Sequence, residues 1–164
     1  MQLVPLFPKM RHGPTLSLEH LAREALNRRP ILLTLIMGGE IYLPGYEKAW
    51  QLGRELELPI AAHVLGNFGI PKVFDQLAQA RQMGPDNLFI HMTGMSDAAW
   101  KVVADNGVAV SIAVPIEMTM RHGMPPILKA MELGVRPSLS TDVECTMTAD
   151  FFEAAGVKRD LFRT

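Results

Sequence analysis

Short apolar runs alternate along this chain with longer stretches in which apolar and polar residues recur at helical spacing. Five runs, at 31–37, 58–63, 87–91, 108–114 and 135–141, are bounded by Gly, Pro or a helix stop. Runs of this length and character predict parallel strands covered on both faces. The stretches 45–56, 73–83, 96–106 and 126–133 predict helices, and 17–28 predicts another that ends before Pro30. Their ends carry the expected punctuation. Ser96 is an N-cap candidate, Pro126 stands near a first turn, and Gly84, Gly107 and Gly134 follow the final turns.

Strict alternation of strand and helix implies a parallel sheet with right-handed crossovers. Two architectures satisfy it: an open doubly wound sheet, or a piece of a (β/α)8 barrel. No Gly-x-Gly-x-x-Gly follows any of the runs, and no Walker loop is present. Met37-Gly38-Gly39-Glu40 would make a poor phosphate grip.

Composition narrows the function classes. The formal net charge is −1, from 16 basic and 17 acidic residues, which gives no support for nucleic acid or an anionic membrane as partner. No apolar run approaches the ~20 residues of a membrane helix. The opening Met-Gln-Leu-Val-Pro-Leu-Phe-Pro lacks the pattern of a signal peptide. One cysteine, Cys145, excludes an internal disulfide and suits a reducing compartment, so the expected location is cytoplasmic. The length of 164 residues suits a single domain spanning 1–164.

The chemistry sits at the ends of the expected strands. His63 closes the second run, His91 the third, and Asp142 follows the fifth. In a parallel barrel all strand carboxyl ends open on one face, so these three side chains would converge there. Two imidazoles and a carboxylate suit Zn²⁺ or a similar ion, which acidifies water and polarises a carbon–nitrogen bond. Each residue also has a plainer reading. A histidine at a strand end can be a hydrogen-bonded structural residue, and an aspartate after a strand can be a helix N-cap.

The stretch from about Ile31 to Phe152 resembles the amidohydrolase superfamily, in the group containing cytosine deaminase and the triazine hydrolases. Ala-Ala-His-Val at 61–64 resembles the fifth-strand histidine motif, and Phe-Ile-His-Met at 89–92 the sixth-strand one. Gly-Val-Arg-Pro-Ser-Leu-Ser-Thr-Asp at 134–142 resembles the eighth-strand motif. Pro-Ile-Glu-Met at 115–118, followed by His122-Gly123, resembles the pocket-lining loop after strand seven. The resemblance implies a partial TIM-type barrel of about five parallel βα units, corresponding to strands four to eight. It implies His63 and Asp142 as ligands of one divalent metal, zinc or iron. Asp142 would also activate water, and His91 would act on the substrate. Glu117 would line the substrate site, or else be a solvated loop residue. The implied activity is hydrolysis of a carbon–nitrogen bond in a small cyclic or heteroaromatic molecule. The alternatives are an inactive fragment of such an enzyme and a small open α/β binding module.

The chain departs from that family in three places. The first-strand His-x-His pair has no counterpart, and His12 and His20 cannot replace it. Gly66 stands where many relatives carry a proton-shuttling glutamate, and Gly94 where some carry a second histidine. A full barrel needs about 250 residues, so three strands are expected to be missing. Strands 31–37 and 135–141 would then be sheet edges, and the expectation is self-association as a homodimer.

Overall fold

The computed structural model describes residues 35–142, and the elements it contains belong to the compact unit that starts at Ile36. The expected helix at 17–28, the residues 31–34 of the first expected strand, and His12, His20 and Cys145 lie outside the described residues. Five strands form one parallel sheet in sequence order: β1 (Met37–Gly38), β2 (Ile60–Leu65), β3 (Asn87–Thr93), β4 (Ala109–Ile112) and β5 (Ser138–Leu139). Every neighbouring pair is parallel. Between them run α1 (Tyr46–Glu55), α2 (Pro71–Gln79), α3 (Asp97–Asp105), α4 (Val114–Thr119) and α5 (Ile127–Glu132), with a short 3₁₀ turn at Gly66–Phe68. The expected alternation is present, and α4 is an addition.

The helix boundaries follow local chemistry. Ser96 Oγ accepts the Ala99 N–H at 3.2 Å and caps α3, as its position predicts. Pro71 stands in the first turn of α2, where its missing N–H costs nothing. Gly107 and Gly134, just past α3 and α5, take positive φ values of 66° and 76°.

The central strands alternate in burial. Ile60, Ala62 and Val64 of β2 and Phe89 of β3 are fully buried. Phe74 of α2 lies against Phe89 with ring centroids 5.8 Å apart, and Trp100 and Val103 of α3 complete the same cluster. Ala61, His63, Leu88 and Ile90 are only partly covered. One sheet face is therefore a dry helix-covered core, and the other carries His63. Trp50 of α1 joins the core by an unusual contact: its Nε1–H donates to the Gly39 carbonyl at 2.8 Å. A Cβ at Gly39 would stand 2.5 Å from that Nε1, so only glycine allows it. Gly39 thus packs against Trp50 at the sheet edge.

The strand boundaries shift from expectation. β2 runs two residues past His63 and β3 two past His91, so neither histidine terminates its strand. β4 stops at Ile112, because Val114 opens a helix. β1 and β5 pair over only two residues each. Among the described residues no helix is long and apolar enough to cross a membrane.

Candidate active site

Strict alternation along β3 would send His91 to the same face as Phe89, into the core. The backbone prevents this. His91 and Met92 both take positive φ, 74° and 56°, and the β2–β3 register slips there, pairing Val64 with His91 and Leu65 with Thr93. This is a bulge: two residues of β3 oppose one step of β2. Met92 takes the core position and is fully buried there. His91 is freed to meet His63, with ring centroids 5.5 Å apart. A non-glycine residue at positive φ is uncommon, and two in succession mark a constrained site.

Each imidazole is backed by a carboxylate. His63 Nδ1 lies 2.7 Å from Glu40 Oε1, and the His63 backbone N–H donates to Glu40 Oε2 at 3.0 Å. One carboxylate thus grips both ring and main chain. His91 Nδ1 lies 3.1 Å from Glu117 Oε1, which also accepts the Ala113 N–H at 2.9 Å. In both rings the carboxylate takes Nδ1. Nε2 of His91 faces Asp142, whose Oδ2 is 3.6 Å away. Asp142 itself sits at φ 59°, three residues beyond β5, with its N–H donating to Ser140 Oγ at 3.1 Å.

The structure therefore brings His91 into contact with His63, with Glu117 and with Asp142. Glu117 needs a correction: it occupies no solvated loop. It lies on α4, 0 % exposed, behind His91. The sequence held a signal for this helix, since Pro115 is a residue type favoured in a first turn and Glu117 reaches back to the N–H at the helix start. Glu40 was also overlooked, although it lies two residues past the end of β1, and site residues of a barrel gather at strand ends. Met118, Met120 and Met124, on and after α4, are all exposed.

A third imidazole joins the cluster. His122 packs edge-on against His91, with centroids 5.4 Å apart and planes at 72°, and edge-on against Phe68 at 5.9 Å. Burial and the neighbouring His91 push its pKa below the usual 6.5, while Glu117 and Asp142 pull the other way.

The two glycines that depart from the family pattern touch each other. A Cβ built on Gly66 would stand 2.2 Å from the Gly94 carbonyl oxygen, and Gly94 takes φ 67°. No glutamate fits at 66 while Gly94 holds its place. The departures are one coupled feature of the backbone, and the carboxylates near the histidines come from Glu40 and Glu117 instead.

Metal-bound histidines commonly give their second ring nitrogen to a carboxylate, and His63 and His91 are both held that way. The donor types thus fit a zinc-like ion. Among the described residues, no three His, Cys, Asp or Glu side chains converge closely enough to complete a site alone.

Comparison with known proteins bears on the fold. No family model matches the chain. The 5'-deoxyadenosine deaminase of Methanosarcina barkeri (strain Fusaro / DSM 804) is 38% identical over 60 residues, covering 37% of this chain and 14% of that protein. An adenosine deaminase from Xanthomonas campestris, solved with bound zinc, superposes on 76% of this chain and 32% of its own, with a TM-score of 0.58 and 20% identity. An amidohydrolase from Brucella melitensis matches at a TM-score of 0.57 and 17% identity, over 76% and 31% of the two chains. The chain thus spans about a third of each solved neighbour, and its five parallel strands have the fold of part of an amidohydrolase-type barrel. The amidohydrolase resemblance read from the strand ends is matched by these relatives, which are deaminases or amidohydrolases.

Proposed function

We propose that this chain serves hydrolysis of a carbon–nitrogen bond in a small cyclic or heteroaromatic substrate, using one divalent metal, zinc or iron. His63 and Asp142 would hold that ion. When bound, it would supply Lewis acidity, easing deprotonation of water and polarising the carbon to be attacked.

The remaining work falls to side chains. Asp142 accepts a proton from the attacking water as the carbon–oxygen bond forms. It then delivers that proton to the nitrogen as the carbon–nitrogen bond breaks, so ammonia or an amine leaves and a hydroxylated or keto product remains. His91 orients the substrate beside Asp142, and its ring is held by Glu117. Glu40 fixes His63 in the same way. Glu117 is wholly buried behind His91, which favours a positioning role over direct contact with substrate.

The observation that carries this reading is the pair of carboxylate-backed imidazoles, one of which, His91, faces Asp142. The deaminase and amidohydrolase relatives support it. It is tested by metal content of the purified chain after zinc loading and dialysis, with His63→Ala alongside. Near-stoichiometric zinc, lost in His63→Ala, is the expected result. Zinc that washes out of the parent chain, or that stays in the variant, overturns it.

A further inference from the structure

We infer that His122, backed by Phe68, is a positioning residue for His91: its ring fixes the tilt of the His91 imidazole. This deepens the hydrolase reading and rests on it only for what His91 acts upon. His91 has two polar neighbours at its ring. Glu117 Oε1 lies 3.1 Å from Nδ1, and Asp142 Oδ2 lies 3.6 Å from Nε2, beyond hydrogen-bond length. A hydrogen bond to a ring nitrogen lies close to the ring plane. It directs that nitrogen but leaves the ring free to tilt about the bond.

Tilt is set by what packs on the ring, and two other rings do so. His63 lies 5.5 Å away at 36°, and His122 lies 5.4 Å away at 72°. His63 is itself tied to Glu40, whereas His122 is placed as a brace. Its Nδ1 is shut off from solvent and has no hydrogen-bond partner. What it offers His91 is therefore the shape and face of a ring, in the edge-on arrangement that ring pairs favour.

One residue holds both members of the pair. The Glu117 side chain takes His91 Nδ1, and the Glu117 main-chain carbonyl accepts the His122 N–H at 2.8 Å. Arg121 and Gly123, on either side of His122, take φ of 56° and 129°, which for Arg121 costs conformational strain. The turn brings the Cβ position of Gly123 to 3.6 Å from the Thr93 Cβ, two residues past His91. The loop is thus fastened to the strand that carries His91. Phe68 backs His122 in turn, edge-on at 5.9 Å, and meets Tyr42 at 5.9 Å. A group that acts on a substrate must be held to within about 0.5 Å and about 10–20°, and packed neighbours supply that precision.

The test is the order parameter of the His91 Cε1–H bond, from carbon relaxation in the full chain. The parent should show the rigid level of about 0.85, and His122→Ala should fall below about 0.6. Phe68→Ala should fall part of the way. Phe68 is 47 % exposed, so its truncation leaves the core intact. His122→Phe should restore rigidity, and His122→Leu, which has bulk but no ring, should not. Backbone amides of β2 and β3 should stay rigid in every variant. Either alanine variant with a ring as rigid as the parent's overturns the inference. So does a His122→Leu as rigid as His122→Phe, a parent ring that is already mobile, or loosening of the β2 and β3 amides along with the ring. In any carbon–nitrogen hydrolysis by the chain, His122→Ala should lower kcat by about 10–100-fold with KM within about threefold, and His122→Phe should recover it. An unchanged kcat overturns the positioning role. A chain that hydrolyses nothing while its His91 ring responds as stated counts against the hydrolase reading alone.

Discussion

The two faces of the β2–β3 pair are built by opposite rules. On the helix side, Ile60, Ala62, Val64 and Phe89 alternate regularly, meet Phe74 and Trp100, and are fully buried. At the strand carboxyl ends, alternation breaks, and His91, Met92, Arg121 and Asp142 take left-handed backbone. Thr93, Glu117 and His122 each keep a buried polar atom without a partner. The first region contributes stability by burying apolar area. The second gives stability up, through strain and open polar groups, and this is the pattern expected where a protein binds something.

The sharpest way to break that contrast is to cut each side in turn. Phe89→Ala should cost about 3–5 kcal/mol, since it empties a filled core position. A urea midpoint near that of the parent would show the core to be less tightly packed than its burial implies. Next, Gly66→Ala should cost about 1–3 kcal/mol through its collision with the Gly94 carbonyl. Gly66→Glu should be no better tolerated, so restoring the family's glutamate should gain no activity in any assay the parent passes. A stable, well-folded Gly66→Glu would refute the coupling of the two glycines.

Glu40→Gln probes the other side. It should change stability by less than about 1 kcal/mol, because the contact with His63 is only part-buried. Zinc affinity should fall by about 10–100-fold, because the imidazole loses its anchor. Competitive chelator titration reads this, and equal affinity in parent and variant would remove Glu40 from the positioning role.

The smallest effect concerns pH. His122 is held below its ordinary pKa of 6.5, so the unfolded chain takes up that proton more readily than the folded one. Its contribution to stability is complete above 6.5 and is lost as pH falls through the lower folded value. Thermal unfolding between pH 7.5 and 5 should show the parent losing more stability than His122→Gln. Parallel losses would mean that His122 does not differ between the two states.

Much of this was legible before any coordinates. Parallel strands in sequence order follow from alternating periods, and one-sided strand ends follow from parallel direction, so His63, His91 and Asp142 could be placed on one face. Ser96 as a cap and the glycine stops are local chemistry, readable within a few residues. The α4 helix was missed because Val114-Pro115-Ile116 continues the apolar run of β4, and six residues are too few to show a helical period.

Sequence alone therefore determined the order of elements, the parallel sheet and the neighbourhood of the site. Only the tertiary structure decided which atoms meet there. The bulge at His91 and Met92 depends on the register against β2, a pairing between residues far apart in the chain. Glu40 reaches His63 across 23 positions and Glu117 reaches His91 across 26. Gly66 and Gly94 touch only once β2 and β3 lie side by side. Local preference sets periods and caps, whereas contacts between distant residues form only when the whole sheet closes around them.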